Sequence, residues 1–480
     1  MKRWLLIVAC PLAITCSARD ADVDVSVEDA IVAEVDERFL SFTVDASQML
    51  EPAPLDFASA PLRRLARELA PAILRIGGTD SDRTFYARDA TAAIPPGYTK
   101  AMLGRTWTAA CEFASALDLQ IAFTLNAGRG PRDTVGAWTI DRASEILADA
   151  RAVGCPVALW ELGNEVNAFS VLHGLELGAE RYSKDLGTLA ALRDRESPGT
   201  RIAGPASAFW PIIGEAFPIL PDFLRTGGAS VDVVTWHYYP QQSSRCPLQT
   251  RAATVETLLA AQPLDEITGW ADAIEALRAE HAPRADVWLG ETGHAQCGGE
   301  PGVSGTFVSG FWWLDELGLM ARRGTPIVAR QALTVGRYRL IDPATWEPTA
   351  DYYASVVWKR TMGARVLAMR IAPRSRRVRI YAHCAKGGGV AFAVVNLDRA
   401  PVRLRFGAAG VAEAYIFSSD ALTSERTALN GGWLAGDGAG GFSPLVPAAV
   451  TNPVAWPARS YGVAVVRGIT PRTCGETAPW

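Results

Sequence analysis

The sequence predicts an α/β protein in which a (β/α)8 barrel, or TIM barrel, is joined to a β-sandwich. First, short apolar runs and helical patterns alternate eight times between residues 41 and 362. Second, these apolar runs are continuous, as is typical of strands buried on both faces. Third, short alternating runs separated by Gly- and Ala-rich turns follow over 363–480, which indicates a sandwich.

Each predicted barrel strand is followed by a helical pattern, which returns the chain to the start of the next parallel strand. The strands are predicted at 42–44, 73–76, 121–125, 157–162, 202–204, 231–236, 287–290 and 327–331. The helices are predicted at 62–69, 106–117, 140–153, 179–192, 221–225, 271–280, 310–321 and 352–362.

The sandwich is predicted from both ends of the chain. Its C-terminal runs lie at 377–382, 390–396, 402–406, 412–417 and 461–466. Residues 22–36 also alternate, with Val23, Val25 and Val27 on one face, and they have no place in the barrel order. We therefore expect this N-terminal strand to join the sandwich.

Composition and charge exclude some classes of protein. The 480 residues are 49% hydrophobic and 20% charged, which is enough apolar content for a large core. The net charge is −4 at pH 7, and the sequence has no basic tail, heptad run or Gly-rich phosphate loop. We expect no nucleic-acid partner.

The N-terminus predicts export. Lys2 and Arg3 precede a short apolar run and small residues, so residues 1–18 are predicted to be a signal peptide. Cys10 and Cys16 each close a sequence that loosely resembles a lipoprotein cleavage box, which leaves a lipid anchor as an alternative. The run is too short to span a bilayer, and no later segment is a transmembrane candidate. We expect a secreted or periplasmic protein.

Six cysteines remain if the first two leave with the signal, and six permit fifteen pairings. Cys384 and Cys474 fall within the predicted sandwich and are the favoured pair. The other four are Cys111, Cys155, Cys246 and Cys297. Free buried thiols are a stronger alternative for Cys111 and Cys155 than for the rest.

Two glutamates stand at the ends of predicted strands four and seven. Glu165 closes the segment WELGNE at 160–165, and Glu291 lies in VWLGET at 287–292. Active sites of these barrels form where strands end. Two carboxylates facing one site are what glycosidic cleavage needs, one as acid and one as nucleophile or base. The alternative for either residue is a solvent-facing glutamate after a core strand.

Further polar residues stand at other predicted strand ends, so that seven of the eight ends carry one. They are Asp45, Thr79, Asn126, His237, Tyr239 and Gln331. This pattern predicts a substrate-binding site at one end of the barrel.

The residue types suggest roles within that site. Asn164 is predicted to hydrogen-bond a sugar 2-hydroxyl, with a turn-forming asparagine as the alternative. Glu165 would be the acid, its pKa raised by its surroundings, and Glu291 the ionised nucleophile. His237 is predicted to hydrogen-bond a glutamate or the sugar. The five histidines show no ligand spacing, so we expect no metal and no cofactor.

Four segments resemble the heparanase family, glycoside hydrolase family 79. They are LRIGGT at 74–79, WELGNEVN at 160–167, VDVVTWH at 231–237 and VWLGET at 287–292. The resemblance extends through FWWLDELGL at 311–319, RQ at 330–331 and YAHC at 381–384.

The resemblance implies endo-β-glucuronidase or β-glucuronidase activity with retention, Glu165 as acid/base and Glu291 as nucleophile. It implies sugar contacts from Asp45, Thr79, Asn164, Tyr239, Gln331, Gly336 and Tyr338. It also implies that backbone amides of Gly298 and Gly299 hold the uronic carboxylate, an approach that glycine permits. It supports the pair Cys384–Cys474.

The chain departs from the family pattern in ways that weaken the case for highly sulfated substrates. Asp80 stands where the mammalian enzyme has a lysine, and 205–217 is apolar where that enzyme is basic. Arg129, Arg132 and Arg337 are candidates for the cleft, whereas the arginines at 374–379 are predicted to form a solvated face. We expect an acidic, glucuronic-acid-containing polysaccharide such as heparan sulfate or heparosan as substrate, and a monomer. Exo-β-glucuronidase activity, or a non-catalytic carbohydrate-binding protein, are the alternatives.

Overall fold

The computed structural model describes residues 21–89, 93–407 and 410–475. The predicted signal peptide, with Cys10 and Cys16, lies outside the described residues. No helix within the described ranges is long and apolar enough to cross a membrane.

The described chain contains the following strands and helices. The strands are β1 (Ala21–Glu34), β2 (Leu40–Asp45), β3 (Ala72–Gly77), β4 (Thr84–Ala87), β5 (Lys100–Leu103), β6 (Leu119–Leu125), β7 (Val157–Leu162), β8 (Arg201–Trp210), β9 (Gly214–Glu215), β10 (Val233–Tyr238), β11 (Asp286–Thr292), β12 (Val328–Arg330), β13 (Met362–Ala372), β14 (Val378–Ala385), β15 (Val390–Asn396), β16 (Val402–Phe406), β17 (Val411–Ser418), β18 (Ala428–Leu429), β19 (Gly432–Trp433), β20 (Ala448–Thr451), β21 (Val454–Trp456) and β22 (Ser460–Val466). The helices are α1 (Ala60–Arg67), α2 (Gly104–Ala116), α3 (Asp141–Ala152), α4 (Phe169–Leu172), α5 (Ala179–Glu196), α6 (Leu220–Gly227), α7 (Val255–Leu258), α8 (Ala261–His281), α9 (Ser309–Arg322), α10 (Ala350–Thr361) and α11 (Arg472–Gly475).

Eight parallel strands close the predicted barrel in the order β2, β3, β6, β7, β8, β10, β11 and β12, with β12 paired back to β2. All eight predicted strands and all eight predicted helices are confirmed, with boundary shifts of a few residues and two larger extensions, of β8 toward its C-terminus and of α8 toward its N-terminus. The helices cover the outside of the barrel. Trp107 of α2, for example, packs edge-on against Phe123 of β6 at 4.8 Å between ring centroids.

The second sheet folds over a core of its own. Its strand order is β19-β18-β17-β22-β15-β14-β13-β1-β16-β21. Phe392 of β15 and Phe406 of β16 are not neighbours in this order, yet their rings lie 4.5 Å apart across the core. As predicted, β1 belongs here, because it pairs antiparallel with β13 and parallel with β16.

Helix α9 joins the barrel to the sandwich and is almost entirely buried. Two of its glycines permit the close approach. A Cβ at Gly310 would lie 2.2 Å from the Tyr461 hydroxyl, and one at Gly318 would lie 2.1 Å from the Tyr381 ring. Asp315, between them, accepts hydrogen bonds from Arg379 and from the Tyr381 hydroxyl. The two parts therefore pack closely along α9.

Three disulfides are present. They are Cys111–Cys155, Cys246–Cys297 and Cys384–Cys474. The prediction for Cys384 and Cys474 is confirmed. The free-thiol interpretation of Cys111 and Cys155 is wrong, because the barrel order places α2 beside the loop after α3 and brings their Cα atoms within 4.9 Å. Sequence spacing alone does not report that distance.

Candidate active site

Glu165 and Glu291 meet at the carboxyl end of the barrel. Glu165 lies three residues beyond β7, and Glu291 is the penultimate residue of β11. One carboxylate oxygen of each, together with one ring nitrogen of His237, all lie within 4.8 Å of one another. The fold thus brings together three of the predicted site residues.

Glu165 occupies a buried position. Its backbone is left-handed, with φ 54° and ψ 51°, in the turn that follows Gly163. Its Oε1 lies 3.2 Å from Nδ1 of His237. Burial raises the pKa of Glu165 to about 7, although the nearby charge of Arg75 acts in the opposite direction. Burial also lowers the pKa of His237 to about 4, so this histidine is neutral at neutral pH.

Glu291 has polar surroundings on both of its oxygens. The Tyr239 hydroxyl donates a hydrogen bond to Oε1 at 2.6 Å. The Arg75 guanidinium donates through Nη1 to Oε2 at 2.9 Å. Both oxygens of Glu291 are therefore held by hydrogen-bond donors, one of them positively charged.

Arg75 is the centre of a buried network that the sequence analysis did not assign. Its Nη2 donates to Glu161 Oε2 at 2.8 Å and to Asn164 Oδ1 at 2.9 Å. Burial alone would raise the pKa of Glu161, but the charge of Arg75 and hydroxyl donors including that of Thr124 outweigh it and lower the pKa. One guanidinium therefore orients Glu291 and Asn164 together.

Asp82 fixes the backbone on the acid side of the site. It lies in the 3-10 turn Thr79–Arg83 after β3 and is buried. Its two oxygens accept hydrogen bonds from the amides of Ala127 and Asn164, each at 2.8 Å. Burial raises the pKa of Asp82 to about 7. This residue ties three consecutive βα loops together.

A signal for these missed residues was present in the sequence. Arg75 and Glu161 interrupt apolar runs that the barrel prediction requires to be buried on both faces. A buried charge needs a partner of opposite sign, so an arginine and a glutamate inside two strands of one barrel predict a pair. Which carboxylates they join depends on the strand register.

The opposite side of the site contains Asp45 and Gln331. The Gln331 amide donates from Nε2 to Asp45 Oδ2 at 3.2 Å, and its Oε1 accepts a hydrogen bond from the Thr43 hydroxyl. Asp45 Oδ1 is held by the amide and hydroxyl of Ser47. The side chains after strands one and eight are thus in contact, as their positions at the strand ends predicted.

The Gly298–Gly299 loop meets the segment after β12. The Arg337 amide donates to the Gly298 carbonyl at 2.8 Å, and both Gly298 and Gly299 have positive φ angles, at 77° and 84°. A Cβ at Gly336 would lie 2.7 Å from the Tyr338 ring. Tyr338 also lies against Tyr239, with 6.3 Å between ring centroids. The two glycines that the resemblance assigned to the uronic carboxylate and three of the predicted sugar contacts, Tyr239, Gly336 and Tyr338, therefore lie on one wall.

Other predicted residues have different surroundings. Thr79 begins the turn after β3 and is half-buried. The Asn126 amide is already engaged, donating to the Thr84 carbonyl of β4 and accepting from the Gly128 amide of its own loop. The prediction that Arg132 lines the cleft is wrong, because Arg132 forms a buried ion pair with Asp185 at 2.9 Å. Its side chain instead anchors the loop after β6.

The cluster of Glu165, His237 and Glu291 also has the donor types that a divalent metal requires. Its electrostatics do not suit a cation. Both oxygens of Glu291 already accept hydrogen bonds, and one donor is the positively charged Arg75. The residues present therefore fit substrate chemistry better than a resident metal.

A (β/α)8 barrel with two close carboxylates after strands four and seven defines the architecture of a glycoside hydrolase. The sequence profile "Glycosyl hydrolase family 79, N-terminal domain" matches residues 43–318. The chain belongs to glycoside hydrolase family 79.

Named relatives agree with this membership. The chain is similar to "Heparanase" of Mus musculus, 30% identical over 91% of both chains. It is also similar to "Inactive heparanase-2" of Homo sapiens, 27% identical over 67% of this chain and 56% of that one. Its fold is similar to that of a 4-O-α-L-rhamnosyl-β-D-glucuronidase from Fusarium oxysporum, with a TM-score of 0.66 and 16% identity over 92% of this chain and 100% of that one.

Proposed function

We propose that this protein is a retaining endo-β-glucuronidase that cleaves β-glucuronidic bonds within glucuronic-acid-containing polysaccharides such as heparosan and heparan sulfate. One observation carries the proposal. An oxygen of Glu165 and an oxygen of Glu291 lie within 4.8 Å, and the two carboxyl groups have different surroundings. Burial raises the pKa of Glu165 to about 7, whereas Glu291 accepts hydrogen bonds from Tyr239 and from the positively charged Arg75. Retaining enzymes have carboxyl groups about 5–5.5 Å apart, whereas inverting enzymes need about 6.5–9.5 Å to admit water.

The mechanism follows from the two environments. Protonated Glu165 donates its proton to the glycosidic oxygen as the bond to C1 breaks, while ionised Glu291 forms a bond to C1. The leaving sugar departs as an alcohol, and the uronosyl group stays esterified to Glu291. Glu165, now a carboxylate, then takes a proton from water as the water oxygen attacks C1. Glu291 is released and Glu165 is protonated again.

Neighbouring residues hold these groups in position. Neutral His237 lies against Glu165 and adds no positive charge that would favour early loss of its proton. Arg75 orients Asn164 by donating a hydrogen bond to its Oδ1. The Nδ2 group of Asn164 is then left to donate to the substrate 2-hydroxyl. That contact strengthens in the transition state.

The glucuronate would bind on the wall opposite Asn164. Its carboxylate is assigned to the amides of Gly298 and Gly299 and to the Tyr338 hydroxyl, which suit an anion. Its hydroxyls are assigned to Asp45, Thr79, Gln331 and the backbone at Gly336. Asn126 is a weaker assignment, because its amide already makes hydrogen bonds to Thr84 and Gly128.

Two alternatives remain testable. The fold neighbour from Fusarium oxysporum is described as a glucuronidase bound to a rhamnosyl-glucuronate, which favours an exo-acting enzyme as second candidate. The similarity to an inactive heparanase makes a non-catalytic carbohydrate-binding protein a further candidate. The presence of Glu165, Glu291 and Asn164 in one hydrogen-bonded site argues against that alternative.

The deciding experiment is size-exclusion analysis of heparosan and heparan sulfate after incubation with the purified protein. Endo action predicts early loss of long chains, and the faster substrate shows whether sulfate is favoured. Accumulation of free glucuronate while long chains persist would establish exo action instead. If neither polymer changes and aryl β-glucuronides are also stable, the enzymatic proposal fails.

We also infer that the protein is exported and acts as a monomer. Three disulfides fit an oxidising compartment. The cationic and apolar pattern of residues 2–14 fits a signal sequence. N-terminal sequencing of the secreted protein and its sedimentation coefficient test the two inferences separately, and a lipid on Cys10 or Cys16 would be detected as a mass increase.

A further inference from the structure

Arginines from three separate loops gather at one end of the sandwich. We name this the arginine cluster: Arg374, Arg377, Arg399 and Arg459. The three loops join β13 to β14, β15 to β16 and β21 to β22. Two backbone hydrogen bonds hold them together, from the Leu397 amide to the Arg377 carbonyl and from the Arg459 amide to the Asp398 carbonyl. Strand register also aligns the loops, because Val378 pairs with Asn396 and Asn396 with Ser460.

The cluster lacks matching carboxylates. Among the described residues, none of the four guanidinium groups has a carboxylate within the 4.0 Å of an ion pair, whereas most arginines of this chain do. Asp398 lies in one of these loops, and its Oδ1 accepts a hydrogen bond from the backbone amide of Arg399. Burial and the charges of Arg399 and Arg377 lower the pKa of Arg459, although the charge of Asp398 acts in the opposite direction. The chain has a net charge of −4, yet this patch is positive and is not neutralised by carboxylates. Such a patch attracts an external anion.

Arg459 is partly buried, and one of its guanidinium nitrogens lacks a hydrogen-bond partner among the described residues. Nη1 of Arg459 is inaccessible and has no hydrogen-bond partner among the described residues. Its backbone is left-handed, with φ 48°, which a side chain tolerates poorly. Arg374, Arg377 and Arg399 are exposed and can move to meet a ligand. The neighbouring Arg376 differs, because Asp265 neutralises it at 2.7 Å.

The cluster lies at the same end of the molecule as the active site. Asp265, the partner of Arg376, stands in the second turn of α8, which begins after the carboxyl end of β10. The β22 strand begins at Ser460, and its Tyr461 stacks on Phe307, just before α9 begins at the same end of the barrel. A long chain bound across the barrel mouth can therefore extend toward this end of the sandwich.

We propose that the arginine cluster is a second polyanion-binding surface, which holds carboxylate and sulfate groups of the polysaccharide outside the catalytic cleft. This proposal rests on the proposed function. Binding at a second point raises the effective concentration of internal linkages at the active site, so it lowers KM for polymers and leaves short substrates unaffected. The attraction is between exposed charges, so salt screens it.

The test uses the double variant R377Q/R399Q, because neither side chain makes a hydrogen bond or ion pair with another residue in the part of the chain that the structure describes. The matched control is R284Q/R322Q, which removes the same charge from two exposed arginines at the opposite end of the barrel. Rates are measured on long heparosan, on long heparan sulfate and on 4-nitrophenyl β-glucuronide at low ionic strength.

We expect R377Q/R399Q to lower kcat/KM on the polymers by about three- to tenfold, through a higher KM. A loss of this size is expected when two exposed ion contacts are removed. The aryl glucuronide should be cleaved at the unchanged rate, and added salt should remove the difference between variant and parent. A loss confined to heparan sulfate would assign the cluster to sulfate, and a loss on both polymers to carboxylate. Equal rates on all substrates, or an equal loss in the control, would overturn the proposal.

The same variants separate this proposal from failure of the proposed function. In the E291Q background, retention on immobilised heparosan at low salt measures binding without turnover. Weaker retention after R377Q/R399Q supports the cluster even if the parent cleaves neither polymer. Unchanged retention contradicts it even if cleavage is efficient.

Discussion

The two glutamates are the same residue type at the same end of the barrel, yet their surroundings differ. Glu165 is buried beside a neutral histidine, and burial raises its pKa to about 7. Glu291 accepts hydrogen bonds from Tyr239 and from the positively charged Arg75. The residues around each glutamate, and not its identity, therefore determine which one serves as the acid and which as the nucleophile.

The largest expected effect comes from removing the nucleophile. Glu291→Gln keeps the shape and the hydrogen bond from Tyr239 but cannot bond to C1, so we expect kcat to fall by more than about 10⁴-fold. Initial rates on heparosan and on an aryl glucuronide measure it. Glu176→Gln, an exposed glutamate in the loop after β7, is the control. Turnover within tenfold of the parent would rule out Glu291 as nucleophile.

Removing the acid should have a smaller effect that depends on the leaving group. Glu165→Gln should slow cleavage of heparosan by about 10²–10⁴-fold, the usual contribution of general acid catalysis. A 2,4-dinitrophenyl glucuronide needs no proton to leave, so its first step should be nearly unaffected, and added azide should speed its turnover. An equal loss on both substrates would show that Glu165 is not the acid.

The hydrogen bond that holds Glu291 can be removed alone. Tyr239→Phe deletes the hydroxyl at 2.6 Å from Glu291 Oε1. Hydrogen bonds to charged groups are worth about 1.5–3 kcal/mol, so we expect kcat/KM to fall about ten- to hundredfold. Tyr415→Phe on the sandwich is the control. A change below twofold would mean that Arg75 alone maintains the charge of Glu291.

The pH dependence sharpens the comparison further. Because burial raises the pKa of Glu165 from 4.5 to about 7, the acid stays protonated up to that pH. Activity on heparosan should therefore fall above about pH 7, by about tenfold for each further pH unit. The fall should be absent from the kcat/KM profile of Glu165→Gln. Persistence of the same basic limb in that variant would assign the limb to another group.

Most of the fold could be predicted from the sequence, whereas the site could be predicted only in part. Strand β1 joins the sandwich as expected, because its alternating pattern has no place in a barrel. Arg75 and Asp82 were not assigned, because their partners come from strands and loops far apart in sequence. Glu161 takes its partner from another strand. The register of strands that are buried on both faces decides which atoms meet, and a continuous apolar run does not specify that register.

The most direct test of the central claim is to trap the intermediate with a 2-deoxy-2-fluoro-glucuronosyl fluoride and locate the label by peptide mass spectrometry. The fluorine slows both steps, and the good leaving group allows the first, so the ester accumulates. We expect one fluoroglucuronosyl group on the peptide that contains Glu291, and none on any peptide of the Glu291→Gln variant. A label on Glu165, or inversion of the product without any label, would contradict it.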